Sequence, residues 1–137
     1  MGIPPASTGR KTILIIEDNT INLKLFNDLL EYHNYTTVIT GLGEAAVELA
    51  RQHRPDLILM DIQLPDISGM EGARRLKADA DTKAVPIIAV TAFAMSDDRE
   101  KILASGCNEY LAKPFSVTEF LGLIERYTSG PASSEDA

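Results

Sequence analysis

Five polar residues stand at the ends of apolar runs of strand length. Glu17 and Asp18 follow "TILII", Asp61 follows "DLILM", Thr91 ends "PIIAVT", and Lys113 follows "EYLA". Brought to one place, they would form a set of three carboxylates, a hydroxyl and an ammonium. Carboxylates held close together raise one another's pKa unless a cation sits among them. Oxygen ligands favour Mg²⁺, which takes octahedral coordination and keeps several waters beside one or two carboxylates, whereas a zinc site would want His or Cys. A lysine adds a positive charge that needs no metal. The combination suits a phosphoryl group, whose transfer depends on in-line positioning and on neutralising its equatorial oxygens. Asp61 is then a candidate nucleophile that would form an acyl phosphate. Taken singly, each residue reads more simply as a solvated strand cap or a surface charge. That simpler reading weakens because the first, third, fourth and fifth apolar runs all carry such an end.

The elements that must position these groups can be read from periodicity. The runs at 12–16, 36–40, 56–60, 86–91 and 109–112 mostly do not alternate polar with apolar, as expected of parallel strands covered on both faces. Helix-length segments lie between them. Ile21, Leu25, Leu29 and Tyr32 fall on one helical face, as do Ala45, Ala46, Leu49 and Ala50, and later Val117, Phe120, Leu121 and Ile124. Ser68 and Ser116 stand three residues before Glu71 and Glu119, the capping-box spacing that predicts helix starts at both places. Strand followed by helix, five times over, predicts an α/β fold with a doubly wound parallel five-stranded sheet and right-handed crossovers. In such a sheet ligands bind outside the carboxyl ends of the strands, where the five polar residues stand.

Composition narrows the function classes. A chain of 137 residues fits one domain with a core that needs no staple. The 20 acidic and 13 basic residues, without a basic stripe on any predicted helix, argue against direct nucleic-acid binding. No apolar run is long enough to span a bilayer, and "MGIPPASTGRK" lacks the apolar core of a signal peptide, so no membrane insertion and a cytoplasmic location are expected. The lone Cys107 reads as a small buried thiol, and His33 and His53 as surface residues near helix ends. Residues 1–10 and 129–137 have almost nothing to bury and are expected to be flexible tails around a folded body at 11–128.

The motifs "IIEDN" (15–19), "LILMDIQLPDISG" (57–69), "VTAFA" (90–94) and "EYLAKPF" (109–115) resemble, in order and at the expected strand ends, the receiver domain of two-component response regulators. The resemblance covers about residues 11–128. "EDNTINLKLFNDLLEYHNY" and "MDIQLPDISGMEG" are most similar to the DivK-type single-domain receivers of bacterial cell-cycle phosphorelays. This implies a flavodoxin-like (βα)5 fold with strand order 2-1-3-4-5. It implies Asp61 as phosphoacceptor for a phosphohistidine donor, and Mg²⁺, or Mn²⁺ in its place, held by Glu17, Asp18, Asp61 and the backbone carbonyl of Gln63. Thr91 and Lys113 would bind phosphoryl oxygens, the Lys113–Pro114 bond would be cis, and Tyr110 would be an aromatic switch following Thr91. The implied partners are a sensor histidine kinase or kinase-phosphatase, a histidine phosphotransferase, and a downstream target protein, with the chain a monomer or weak dimer. Such a protein is no enzyme beyond its own phosphorylation and dephosphorylation.

Three rival readings have distinguishing marks. An aspartate-nucleophile phosphatase or phosphotransferase would carry a second acid two residues after the nucleophile, where this chain has Gln63. A flavodoxin-like cofactor binder would have Gly/Ser/Thr phosphate loops and flanking aromatics, and this chain has no Trp and no Gly-rich loop after its first run. A degenerate receiver that only scaffolds a partner would not need every acceptor, metal and lysine position filled, as they are here, whereas a phosphoryl relay without conformational output would keep them filled and stands as the alternative. Beside the site, Gln63 and Phe93 are candidates for tuning water access. For output, "SDDREKILASG" offers few large apolar residues, so the helix near 96–104 is expected to be thinly anchored and able to shift together with Tyr110 and the last helix.

Overall fold

The computed structural model of the protein describes residues 11–92 and 96–136, with the backbone alone at 96, 97 and 129–136. Strands β1 (Thr12–Ile16), β2 (Thr36–Thr40), β3 (Leu57–Asp61), β4 (Ile87–Thr91) and β5 (Glu109–Ala112) alternate with helices α1 (Thr20–Tyr32), α2 (Ala46–His53), α3 (Gly69–Ala78), α4 (Ser96–Ala104) and α5 (Val117–Asp136). The strands pair in parallel in the order β2-β1-β3-β4-β5.

Period-two alternation explains why the strand runs look continuously apolar. Leu14, Ile16, Ile58, Met60, Ile87 and Ala89 face one layer, where they meet Ala46 and Ala50 of α2, Ala73 and Leu76 of α3, and Ile102 of α4. Their neighbours Ile13, Ile15, Leu57, Leu59, Ile88, Val90 and Leu111 face the other, against Phe26 and Leu30 of α1 and Phe120 and Ile124 of α5. Both faces of the central strands are thus covered, which leaves no room for a polar alternation. Phe26 and Phe120 stack with ring centroids 5.3 Å apart, and full burial of each ring contributes about 2–3 kcal/mol. β2 is an edge strand with Thr36 and Ile39 exposed, so it is covered less completely than the other four.

Local chemistry sets the helix starts. Asn19 caps α1 by accepting the Asn22 N–H, Ser68 caps α3 by accepting from Met70 and Glu71, and Ser116 accepts from Glu119 as α5 begins. The structure corrects the expected face of α1. Ile21 and Tyr32 are 78% and 82% exposed and Leu25 is exposed as well, while the helix buries Phe26 and Leu30. This helix is apolar on more than one side, and the Phe26–Phe115–Phe120 stack decides which side faces the sheet. At the other end the backbone of α5 continues as helix to Asp136, past residue 128, where the sequence places the end of the folded body. Thr128 is the last described side chain of α5 that is buried, bonded to Tyr35 Oη at 3.2 Å and donating to Ile124 O. The expected tail at 1–10 lies outside the described residues. Cys107 is buried and His33 and His53 are exposed at helix ends, as their sequence contexts suggest.

Candidate functional site

The carboxyl ends of β1, β3, β4 and β5 converge on one rim. Asp61 is the last residue of β3, paired across from Val90 in β4, and the residue after it, Ile62, donates its N–H to Val90 O. Its carboxylate is buried and accepts the Gln63 N–H at 3.0 Å through Oδ1. Glu17 directly follows β1, held there by its N–H to Thr40 O, and its side chain is only 1% exposed. Asp18, the next residue, is exposed. Ligand oxygens of Glu17, Asp18 and Asp61 all lie within 4.8 Å of one another. Thr91 closes β4 and is buried, and its carbonyl accepts the Lys113 N–H at 2.8 Å, which fixes the chain just beyond β5. Lys113 extends to 3.9 Å from Glu17 Oε1, and its bond to Pro114 is cis.

The structure therefore brings together Glu17, Asp18, Asp61 and Lys113, and Thr91 stands at the end of the adjacent β4, bonded through its carbonyl to the Lys113 N–H. Gln63 sits two residues beyond Asp61 in the loop leading to α3, with its side chain exposed. Close approach of this loop to the helix requires a glycine. A Cβ at Gly69 would fall 2.3 Å from Asp61 O and 2.8 Å from Ile62 Cα, both backbone atoms. Tyr110 stands farther along, half-buried in β5, with the Arg99 guanidinium of α4 5.1 Å from its ring centroid. Phe93 lies outside the described residues. Nothing in the sequence singles out Arg99, a polar residue on a polar helix, or Asp66 of the β3–α3 loop.

The electrostatics of this cluster suits a cation. Glu17 Oε2 accepts the Asn19 N–H at 3.1 Å, but the buried Oε1 has no hydrogen-bond partner, an unusual state for a buried carboxylate oxygen. Burial and the adjacent Asp61 carboxyl push the Glu17 pKa up to about 7, against the weaker pull of the Asn19 N–H and Lys113. An all-oxygen set in which one buried oxygen makes no hydrogen bond and has the Lys113 ammonium only at 3.9 Å fits a hard divalent cation such as Mg²⁺. A carboxyl whose pKa is raised on folding holds its proton more tightly in the folded than in the unfolded chain. Stability in EDTA is therefore expected to fall as pH rises from about 4.5 to about 7, by on the order of 2 kcal/mol. Asp66, Glu71 and Asp79, held below the ordinary carboxylate range by backbone N–H groups and arginines, act in a separate and more acidic window. Saturating Mg²⁺ should flatten the slope between 4.5 and 7 and raise stability above it, because a ligand of the native state adds stability. Urea unfolding across this range, with EDTA and with Mg²⁺, provides the check, and a flat profile in EDTA would contradict the assigned electrostatics.

Comparison with known proteins agrees with this geometry. The family model described as the response regulator receiver domain matches residues 13–125. The polar-differentiation response regulator DivK of Brucella anthropi is 52% identical over 117 residues, which covers 85% of this chain and 95% of that protein. The receiver domain of a sensor histidine kinase from Pseudomonas aeruginosa, solved with a magnesium ion coordinated in its active-site cleft, is 37% identical with a TM-score of 0.82 and covers 88% of this chain and 99% of its own. A chain from the co-crystal structure of the Saccharomyces cerevisiae histidine phosphotransfer protein Ypd1 with the receiver domain of its downstream response regulator Ssk1 is 31% identical with a TM-score of 0.80, covering 88% and 90%. With the family model spanning β1 to α5 and half the residues shared with DivK, this chain belongs to the response regulator receiver domain family, the signalling modules of two-component phosphorelays.

Proposed function

We propose that Asp61 accepts a phosphoryl group from a phosphohistidine donor and that the chain signals as a single-domain regulator through phosphorylation-dependent binding. The observation that carries this reading is the gathering of Glu17, Asp18 and Lys113 around the strand-end carboxylate of Asp61. A carboxylate oxygen of Asp61 attacks phosphorus, the P–N bond of the donor breaks, and its electron pair stays with the leaving imidazole, which keeps or regains a proton. Bound through Glu17, Asp18, Asp61 and the Gln63 carbonyl, Mg²⁺, or Mn²⁺ in its place, would supply charge neutralisation to the phosphoryl oxygens. Lys113 would hold a further phosphoryl oxygen, and the Thr91 hydroxyl another. Later hydrolysis of the acyl phosphate returns the protein to its resting state, the only turnover this reading assigns to it.

The test is to incubate the protein with Mg²⁺ and acetyl phosphate and weigh it intact. One hydroxylamine-labile phosphoryl adduct supports the reading, steady phosphate release without an adduct would make the protein a phosphatase, and no reaction would leave only a scaffold.

The partners proposed are a sensor histidine kinase or kinase-phosphatase, a histidine phosphotransferase, and a downstream protein. The exposed Ile21 and Leu25 of α1 lie on the same rim as an open cleft lined by Leu25, Ala92, Lys113, Pro114 and Phe115, an apolar border suited to a donor helix approaching the site. The yeast structure pairs a receiver domain with a histidine phosphotransfer protein, which supports the same kind of partner here. A net charge of −7 argues against direct binding to nucleic acid. No described helix is long and apolar enough to cross a membrane. We assign the chain to the cytoplasm as a monomer or weak dimer, with a folded body at 11–128.

For output, the phosphoryl group would draw Thr91 inward and release Tyr110 to turn, with α4 following. Ile102 is the one buried apolar side chain among the described residues of α4, so that helix can shift at small cost. Thr91→Ala is expected to leave basal partner binding intact and to remove most of the affinity difference between phosphorylated and unphosphorylated protein. Partner titrations on both forms of wild type and variant check this. Equal affinities in the two wild-type states would make the protein a phosphoryl relay without conformational output.

A further inference from the structure

We propose that Asp66 is a positioning residue for the metal site: its carboxylate fastens the loop that carries Gln63 to the turn that lies against Asp18. Asp66 Oδ1 accepts the Gly43 N–H at 2.9 Å and Oδ2 the Glu44 N–H at 2.8 Å. These amides open the short 3-10 helix Gly43–Ala45, which leads into α2 and whose own preceding residue, Leu42, gives it no side-chain cap. Asp66 supplies that cap from more than 20 residues away in sequence. The two segments also touch through apolar atoms, since a Cβ at Gly43 would lie 2.7 Å from Ile67 Cγ1 and 3.1 Å from Leu64 Cδ1.

Each segment abuts one side of the acidic cluster. On the first side, Gly41 packs against Asp18, where an added Cβ would lie 3.4 Å from Asp18 Cβ. On the second, the loop runs back from Asp66 to Gln63, whose N–H is bonded to Asp61, and is closed by the Gly69 N–H to Ile62 O bond. Those two bonds are internal to the stretch from Asp61 to Gly69, and among the described residues Asp66 makes the side-chain bonds that tie it to another part of the fold. Ser68 already caps α3, so Asp66 is not needed there. The backbone N–H groups of Glu44 and Gly43 hold the Asp66 carboxyl below the ordinary range, so the tie stays ionised at neutral pH. Fixing the spacing between Asp18 and the Gln63 peptide fixes the opening into which the cation must fit, and Mg²⁺ tolerates little departure from octahedral geometry.

The inference rests on the proposed roles of Asp18 and Gln63. Its test compares wild type, Asp66→Ala and Asp66→Asn by following amide chemical shifts during Mg²⁺ titration without donor, together with the rate of adduct formation from acetyl phosphate at rising Mg²⁺. Asp66→Ala should weaken Mg²⁺ binding by about 5-fold, the factor that loss of a capping carboxylate typically costs in holding such a turn. Asp66→Asn, with one oxygen left to serve two N–H groups, should fall between, and the rate at saturating Mg²⁺ should be unchanged in both. Wild-type Mg²⁺ affinity in Asp66→Ala overturns the proposal, as does a lost maximal rate with affinity retained. If Asp66→Ala does not fold, Asp66→Asn decides by the same criteria. A wild type whose Asp18, Asp61 and Gln63 amides ignore Mg²⁺ would instead remove the metal reading itself, and this proposal with it.

Discussion

Asp61→Asn is expected to fold as the wild type does and to gain no phosphoryl mass from acetyl phosphate at any Mg²⁺ concentration. The amide is nearly isosteric with the carboxylate, and its oxygen can still accept the Gln63 N–H that Asp61 Oδ1 accepts now. What disappears is the nucleophile, since an uncharged amide oxygen does not form an acyl phosphate. The variant carries a second signature. Asp61 is one of the causes that push the Glu17 carboxyl up, so its loss should lower that pKa and lessen the fall in stability toward neutral pH. A full adduct on Asp61→Asn would move the acceptor elsewhere. A missing adduct with an unchanged stability profile would separate the loss of chemistry from the proposed electrostatics.

The largest expected effect on stability comes from a residue without a side chain. Gly69→Ala would drive a methyl group to 2.3 Å from Asp61 O and 2.8 Å from Ile62 Cα. Both neighbours are backbone, and Asp61 is held in register by β4, so neither can move aside as a flexible side chain would. The cost should reach about 3 kcal/mol or more, lowering Tm by roughly 10 °C. If α3 moves instead, it carries the loop with it, and the variant should lose Mg²⁺-dependent adduct formation along with stability. A Tm within error of the wild type would show that this approach is looser than the backbone suggests.

The sequence allowed the strands and their polar ends to be placed within one residue, because a run covered on both faces is continuously apolar and stops where the sheet meets solvent. The third strand ends on Asp61, as its apolar run suggests, with only its start one residue later than the run at 56–60. The caps at Ser68 and Ser116 were equally legible, since a hydroxyl three residues before a glutamate acts on its own local backbone. The face of α1 was not. Ile21, Leu25, Leu29 and Tyr32 and the pair Phe26 and Leu30 both satisfy helical spacing, and only packing against Phe115 and Phe120, nearly a hundred residues away, chooses between them. Asp66 was illegible for the same reason, because its partners Gly43 and Glu44 come near only once the sheet is built. Chemistry borne by a residue type at a strand end can be read locally, whereas support that one loop gives another cannot.

The register of the sheet has a further consequence. Asp61 stands across from Val90, and Thr91 across from Ala112, so each reactive group is placed by its pairing with the next strand. The outermost members of the set, Glu17 and Lys113, enclose almost the whole fold between them, and their side chains meet only when β1, β3, β4 and β5 have all joined. A chain with β5 unpaired keeps Asp61 and Glu17 but lacks the lysine that stands at Glu17, and a slip of one residue in β4 would offer Val90 where Thr91 belongs. Damaged, nascent or half-unfolded copies therefore lack the assembled set, and under the proposed function only molecules that have finished folding would take up the phosphoryl group.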